Sequence, residues 1–298
     1  MARRSDSITV KVPASTSNLG SGFDTLGLAL NLYNRITVRR LQTNDIALTL
    51  PDGDAGNSAA ALRMITAAAD GFFKMSGVRP FGFFASLAED VPVARGVGFS
   101  ATVRIGVIAA LNALTNGGLD RQQLLELGTA LEGHPDNASP ALLGGFTVSG
   151  RIGETVRCLR FEVSRKLKII ALFPALQLRT DVARSVLPAT YSKRDAVHNL
   201  NRSALIAAAF ASGKYEALAG LFDDTIHQPY REKLLPQLSA VIRAGEKAGA
   251  LGGFLSGAGS GIICLALRNA EAVAKAMQRA LPDSETRILT TDNSGVKL

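Results

Sequence analysis

The stretch PVARGVGFSATVRIGV, residues 92–107, decides how this chain is interpreted, because two glycines stand directly before an apolar run. Residues 101–114 are apolar on almost every face, which is typical of a buried helix. Backbone N–H groups at the start of a helix have no intrahelical partner and can bind a phosphate. Gly96 and Gly98 therefore predict an anion site, although the Lys-Ser/Thr ending of a P-loop is missing and bulky Phe99 lies inside it.

Two more glycine-bearing loops border apolar segments. They are NLGSGFD at residues 18–24 and LSGAGSG at residues 255–261. One such loop alone would indicate a tight turn, whereas three in one chain favour a composite ligand site. Residues 96–101 also match the loose G-x-G-x-x-A dinucleotide pattern, but EDVPVAR separates them from the preceding strand. A Rossmann site is therefore not favoured.

Length and composition predict two modest domains. The chain has 298 residues, of which 47% are hydrophobic and 19% charged. The composition becomes charged around residues 162–168, and the strand-like LKIIALFP begins at residue 167, so the predicted domains are 1–163 and 164–298. Strands and helices alternate without a regular βαβ order, which indicates an α+β class with two layers in each half.

Local patterns predict several element boundaries. Residues 8–12 alternate like a strand that ends at Pro13. An alanine-rich helix is expected to begin at Asn57. Further helices are expected at residues 120–131 and 214–222.

Charge and cysteine content exclude some classes of function. The net charge of +8 suits either nucleic acid or small anionic ligands, but the arginines are scattered and tryptophan is absent. Cys158 and Cys264 are expected to be free core thiols. No apolar run reaches membrane-spanning length and no signal sequence is evident, so we expect a cytoplasmic protein without a membrane partner.

The three loops resemble the three motifs of the GHMP small-molecule kinases, in the order that the family shows. VPASTSNLGSGFDTLGLAL (12–30) resembles the first motif as homoserine kinases carry it, and EGHPDNASPALLGGF (132–146) is similar to a segment of that subfamily. TDVARSVLP (180–188) and HQPYREKLLP (227–236) resemble its substrate-binding segments. The resemblance covers essentially the whole chain.

This resemblance implies a two-domain GHMP kinase-like fold. Domain 1–163 would be an ATP-binding, ribosomal protein S5 domain 2-like unit, and domain 164–298 a ferredoxin-like α/β sandwich that completes the substrate site. The implied activity is phosphorylation of the side-chain hydroxyl of L-homoserine, a step in threonine biosynthesis, with ATP and Mg²⁺ as cofactors. The implied partners are the small-molecule substrate and a second copy in a homodimer, and nucleic acid is not expected.

The resemblance also assigns site residues. Ser100 and Glu126 would bind Mg²⁺ and, with Asn137, form the catalytic set. Asn137 stands where related mevalonate kinases carry an aspartate base, so deprotonation would fall to the phosphate or solvent. The implied nucleotide-binding residues are Pro92, Arg95, Gly96, Val97, Gly98, Ser100 and Ala101, together with Asn57. The implied substrate-binding residues are Asn18, Asp24, His134, Asn137, Thr180, Arg184, Arg231 and Gly257.

One departure from the family pattern leaves alternatives open. The motif usually reads Gly-Leu-Gly-Ser-Ser-Ala, and here Phe99 replaces its first serine. The ring could pack beneath the loop, or it could fill the phosphate pocket and leave a catalytically impaired ligand-binding relative. A kinase for another hydroxy amino acid, such as L-threonine, and a basic RNA-binding module are the other readings.

Overall fold

The computed structural model describes residues 6–49 and 55–298, except for the side chains of residues 55–58 and 89. The first half builds a sheet of six strands. These strands are β1 (Ser7–Ser17), β2 (Leu26–Arg40), β3 (Ile46–Thr49), β4 (Phe83–Glu89), β5 (Phe146–Ile152) and β6 (Thr155–Phe161). The long strand β2 organises the sheet: it pairs with β1 on one side and with β4 and β5 on the other, all antiparallel.

Strand β1 passes through Pro13 and ends only at Ser17, so the predicted end at Pro13 is wrong. Proline removes a ladder hydrogen bond and is tolerated within a sheet at an irregularity. The pairing register shifts between Pro13 and Ser15, which accommodates the ring and lets the strand continue. As a result, polar residues 15–17 are carried to the end of the strand, beside the glycine-bearing loops.

In the described part of the first half, four helices accompany this sheet. They are α1 (Ala55–Ser76), α2 (Phe99–Thr115), α3 (Arg121–Glu132) and α4 (Pro135–Leu143). Helix α2 packs against α1, β1 and β2, and its buried residues confirm the prediction of a core helix. Helix α3 begins after Asp120, whose carboxylate accepts a hydrogen bond from the Gln123 amide in a capping box. The sequence analysis did not predict α4, because the segment contains two prolines. Pro135 occupies the first position of the helix, where proline is favoured, and Pro140 lies inside it.

The second half builds an antiparallel sheet in the order β10-β7-β9-β8. Its strands are β7 (Lys168–Pro174), β8 (Gly252–Leu255), β9 (Ile262–Ala266) and β10 (Ser284–Leu289). Its helices are α5 (Thr180–Ser185), α6 (Lys193–Ser212), α7 (Gln228–Arg231), α8 (Leu238–Lys247) and α9 (Ala270–Ala280). The connection β7-helices-β8-β9-α9-β10 is the βαββαβ pattern of a ferredoxin-like sandwich. The predicted helix at 214–222 is only the 3₁₀ turn Tyr215–Leu218, and Gly220 follows it in a left-handed conformation.

The two sheets share a hydrophobic core, which fixes the loops between them. One cluster of buried residues combines Leu28 and Phe146 of the first sheet with Ile169 of the second and Phe210 of α6. The chain end also returns to the first sheet, where Lys297 pairs with Lys11. The domain boundary at 163/164 stays a prediction. Among the described residues, no helix has the length and apolar character needed to cross a membrane.

Candidate active site

The three glycine-bearing loops meet at the junction of the two sheets and are joined by hydrogen bonds. The hydroxyls of Thr16 and Ser256 lie 2.8 Å apart, and the Ser256 hydroxyl donates to the carbonyl of Gly96 over 2.7 Å. The amide of Gly257 donates to the carbonyl of Ser17. The third loop is therefore bonded both to the end of β1, where the first loop begins, and to the second loop, and together they form one composite site.

A cavity of about 460 Å³ opens at this junction. Residues of both halves of the chain line it, including the ends of β1, α3 and α5 and the start of α2. The lining residues are Ser17, Asn18, Asp24, Ala94, Arg95, Gly96, Gly98, Phe99, Ser100, Arg104, Leu131, Glu132, His134, Asp136, Asn137, Leu178, Arg179, Thr180, Asp181, Arg184, Arg231, Gly257, Ala258 and Gly259.

One end of the cavity is formed by the backbone at the start of α2. Gly98 precedes the helix at φ 70°, and the first hydrogen bond at this end runs from the Thr102 amide to the Gly98 carbonyl. In the described part of the chain, no backbone carbonyl accepts a hydrogen bond from the amides of residues 99–101. A Cβ at Gly98 would lie 2.3 Å from the hydroxyl oxygen of Ser15, so only glycine fits here. This end therefore presents unpaired N–H groups to an anion.

Phe99 is held in place by packing. Its side chain is partly buried and contacts the core of the first sheet as well as the core that the two sheets share. The ring borders the cavity. Within the described ranges, the neighbouring amides have no backbone carbonyl as acceptor, so the aromatic substitution has not sealed the anion site.

A buried carboxylate lies beside the first turn of α2. Glu132, the last residue of α3, accepts a hydrogen bond of 2.9 Å from the Ser100 hydroxyl. Its other oxygen lies 2.5 Å from a guanidinium nitrogen of Arg104. The Glu132 side chain is 6% exposed. A hydroxyl and a carboxylate oxygen at the mouth of an anion site are the donor set that Mg²⁺ prefers, so these residues fit a metal held jointly with phosphate.

The structure corrects the assignment of Glu126 as the metal ligand. Glu126 accepts a hydrogen bond from Gln122, which also reaches the carbonyl of Val156 on β6. It does not border the cavity. Glu126 and Glu132 are six residues apart, which turns them about 120° from each other around the helix axis. Of these two glutamates, Glu132 is the one that bonds to Ser100.

The opposite end of the cavity is formed by charged side chains. Asp24 and Arg184 make a two-pronged ion pair with distances of 2.7 and 3.2 Å. Asn18 fixes the loop, since its side chain accepts from the Asp24 amide and donates to the Gly257 carbonyl. One ligand atom each of Asp24, His134 and Asp136 lie within 4.8 Å of one another. The result is an acidic cluster next to arginines, which suits a zwitterionic ligand.

Arg231 supplies a second guanidinium from the interior. Arg231 is only 2% exposed. Its guanidinium donates hydrogen bonds to the carbonyls of Ala183 and Gly257, over 3.0 and 2.9 Å. Burial and the charge of Arg184 lower its pKa to about 10, which leaves it cationic at neutral pH. Among the described residues, the hydrogen bonds of the Arg231 guanidinium are made by Nε and Nη1. Its Nη2 atom is therefore available to bind an anionic group.

His134 and Asn137 are fixed by their neighbours. The Nδ1 atom of His134 forms a short hydrogen bond with Asp136. Burial alone would lower the pKa of His134, but the hydrogen bond and charge of Asp136 outweigh it, and the net shift is upward. The Asn137 amide donates to the Ser17 hydroxyl and accepts from the Ser15 hydroxyl, both over 2.9 Å. Asn137 is therefore an oriented hydrogen-bonding group at the centre of the cavity.

Comparison with known proteins identifies the family. The model of the GHMP kinases N terminal domain matches residues 59–145, and that of the GHMP kinases C terminal matches residues 206–283. The chain is 38% identical to the homoserine kinase of Caldicellulosiruptor bescii over 97% of this chain and 95% of that protein. It is 39% identical to the homoserine kinase of Moorella thermoacetica over 91% of each. The chain belongs to the homoserine kinase family of GHMP kinases.

Solved structures agree with this GHMP kinase fold. The homoserine kinase of Cytophaga hutchinsonii superimposes with a TM-score of 0.90 at 25% identity, covering 100% of this chain and 98% of that one. The L. major mevalonate kinase, solved in complex with R-mevalonate, reaches a TM-score of 0.76 at 15% identity over 98% of both chains, which shows a shared fold. The predicted fold class is thereby confirmed.

Most of the predicted site residues of this GHMP kinase meet in one cavity. The eight predicted substrate-binding residues all line it, and so do Arg95, Gly96, Gly98 and Ser100. Val97 and Ala101 have buried side chains in the two cores, and they and Pro92 are not among the lining residues. The predicted nucleoside contact Asn57 lies outside the described side chains.

Sequence reasoning missed Glu132 and Arg104. Glu132 stands at the carboxyl end of α3, where the helix dipole disfavours an anion unless a cation compensates. It is the first residue of the segment 132–146, directly before Gly133-His134, and that position was the available signal. Arg104 could have been found by its spacing, because it follows Ser100 by four residues and therefore shares that helix face.

Proposed function

We propose that the chain transfers the γ-phosphoryl group of ATP to the side-chain hydroxyl of L-homoserine, which yields O-phospho-L-homoserine and ADP. The observation that carries this proposal is the meeting of two complementary ends in one cavity. Unpaired amides at the start of α2 suit a polyphosphate, and the Asp24, Arg184 and Arg231 side chains suit an amino acid. The homoserine kinase relatives support this pairing of substrates.

At the nucleotide end, the amides of residues 99–101 would bind phosphate oxygens. Ser100 and Glu132 would hold Mg²⁺, since both offer oxygen ligands beside those amides. When bound, Mg²⁺ neutralises charge that develops on the transferred group. Arg95 adds a positive charge at the cavity wall, where one of its guanidinium nitrogens is buried without a partner among the described residues.

At the acceptor end, the ion pair of Asp24 with Arg184 already matches the charges of an amino acid. Asp24, with Asp136 near it, would receive the ammonium group. Arg184 and the free Nη2 of Arg231 would bind the carboxylate through paired, charge-assisted hydrogen bonds. Thr180, the first residue of α5, lies at the same wall and would contact the remaining polar atoms.

Asn137 would orient the acceptor hydroxyl without accepting its proton. Its side-chain oxygen and nitrogen are already bonded to Ser15 and Ser17, which fixes the direction of the amide. An amide is too weak a base to be useful at neutral pH. Phosphoryl transfer depends mainly on positioning and charge stabilisation, so the proton would leave with a phosphate oxygen or to solvent.

The test is an ADP-release assay of the purified chain with a panel of small alcohols that includes L-homoserine and L-threonine. We expect ADP release with L-homoserine to exceed that with every other alcohol. A preference for L-threonine would reassign the acceptor, and no binding of ATP would overturn the proposal. The homodimer and the cytoplasmic location stay predictions of the sequence.

A further inference from the structure

Arg104 brings a positive charge to the place where the proposed metal ligands lie. It follows Ser100 by one helical turn on α2, so both side chains point to the end of α3. One guanidinium nitrogen lies 2.5 Å from Glu132, whose other carboxylate oxygen receives the Ser100 hydroxyl. The Arg104 side chain is 22% exposed and borders the cavity.

The pair is not an ordinary surface salt bridge. The Nε atom of Arg104 is buried and finds no hydrogen-bond partner among the described residues, so the bond to Glu132 is the hydrogen bond that orients this guanidinium. Glu132 ends α3, where the helix dipole disfavours its negative charge. Arg104 supplies the compensating charge in the structure.

We propose that Arg104 competes with the divalent cation for Glu132, so that this chain binds the metal tightly only together with the nucleotide. The inference rests on the proposed function, because it takes Ser100 and Glu132 as the metal ligands. A divalent cation and a guanidinium on one carboxylate repel each other at short range, and the repulsion is strong where solvent is scarce. The phosphates of a nucleotide at the start of α2 would offset it and give Arg104 a second anionic partner.

Binding of Mn²⁺, followed by electron paramagnetic resonance, tests the proposal without measuring turnover. The enzyme and the Arg104→Met variant are titrated with Mn²⁺, first alone and then with saturating ADP. Methionine keeps an unbranched apolar stem but removes the charge. We expect the variant to bind Mn²⁺ at least about tenfold more tightly without nucleotide, and the advantage to shrink to about threefold or less with ADP.

Two further variants sharpen the result. Arg179→Met removes another cavity-lining arginine, one that pairs with Asp181, and should leave the nucleotide-free Mn²⁺ affinity unchanged. Arg104→Lys keeps the charge and should keep the weak nucleotide-free affinity for Mn²⁺. That result would exclude a packing effect, and it remains informative if the methionine variant unfolds.

Equal Mn²⁺ affinities of the enzyme and Arg104→Met in the absence of nucleotide would overturn the inference, even if both bind Mn²⁺ with ADP. The inference would also be overturned if Arg104→Lys gained as much nucleotide-free Mn²⁺ affinity as Arg104→Met. If neither protein retains Mn²⁺ with ADP, the proposed function itself fails, and the inference fails with it.

Discussion

The two ends of the cavity use different parts of the chain to bind charge. The nucleotide end relies on backbone amides at the start of α2, and the loops around it are fixed by backbone geometry and by hydrogen bonds to carbonyls. The acceptor end relies on side chains, with Asp24, Arg184 and Arg231 each held by specific partners. A backbone site constrains where glycine must stand, whereas a side-chain site constrains which functional groups must be present.

This difference explains why the chain can carry Phe99 in a motif that usually has serine. The amide of residue 99 is the same for every residue type, and the ring is accommodated by packing against both cores. The corresponding freedom does not exist at Asp24 or Arg231, because there the side chain itself makes the bonds. Substitutions at the two ends should therefore have different effects.

The largest effect is expected at Glu132, the carboxylate proposed to hold the metal at the nucleotide end. Glu132→Gln should reduce turnover at least about 100-fold, because it removes the charge that would hold the metal. Glu126→Gln, on the same helix but away from the cavity, should stay within about twofold. The ADP-release assay on both variants measures this, and a reversed order would restore the assignment of Glu126.

The next effect is expected at the acceptor end. Arg231→Leu should raise the KM for L-homoserine about 30-fold by removing a charge-assisted hydrogen bond, while the KM for ATP changes little. Because Arg231 is buried and supports two carbonyls, a thermal melt must accompany the kinetics. The more exposed Arg184→Leu variant should show the same KM pattern, and a change confined to ATP would contradict the assignment.

At the nucleotide end, the backbone should matter more than the side chain that follows it. Gly98→Ala places a Cβ against the Ser15 hydroxyl in a left-handed conformation, so the first turn of α2 must shift. We expect the KM for ATP to rise about tenfold and the free energy of unfolding to fall by about 1–3 kcal/mol. Steady-state kinetics and urea denaturation measure the two quantities. An unchanged KM for ATP would show that these amides do not bind the nucleotide.

Phe99→Ser, which restores the usual motif residue, is the matched comparison. Loss of packing should lower the free energy of unfolding by about 1–3 kcal/mol, while the KM for ATP stays within about threefold. Denaturation and kinetics on one preparation separate the two effects. A large gain in ATP affinity would mean that the ring had obstructed the phosphate site.

The same contrast explains how far the sequence could predict the molecule. Helix α2 was predictable because its apolar run and the preceding glycines are local signals. The acceptor residues were predictable from the family resemblance, since most of them lie in the segments that resemble the family's motifs. The sequence analysis ended strand β1 too early, at Pro13. The register shift that accommodates this proline depends on pairing with β2, which no local pattern shows.

Glu132 shows a second limit of sequence reasoning. Helix α3 carries two glutamates, Glu126 and Glu132, and only the rotation of the helix against α2 shows which of them faces Ser100. The bonds of Ser100 and Arg104 to Glu132 reveal that rotation, because they bring the end of α3 to the start of α2. Helix packing of this kind is a tertiary property, so the sequence alone could not show that Glu132 and not Glu126 faces Ser100.

The smallest expected effect is a pH dependence confined to the acceptor end. The pKa of His134 is raised above its ordinary value of 6.5: burial lowers it, but the hydrogen bond and charge of Asp136 outweigh burial. The charged ring therefore stabilises the fold fully below the unfolded pKa, and this contribution is lost as the pH rises through the folded pKa. His134→Gln should accordingly destabilise the protein more near about pH 5.5 than near about pH 9.

Urea denaturation of the enzyme and of His134→Gln at both pH values measures this difference. Ser100→Ala is the control from the nucleotide end, because its hydroxyl does not titrate in this range, and its effect should be similar at both pH values. An equal loss at the two pH values for His134→Gln would mean that Asp136 orients the ring without stabilising its charge. In that case the two ends would differ in the groups they present but not in their response to pH.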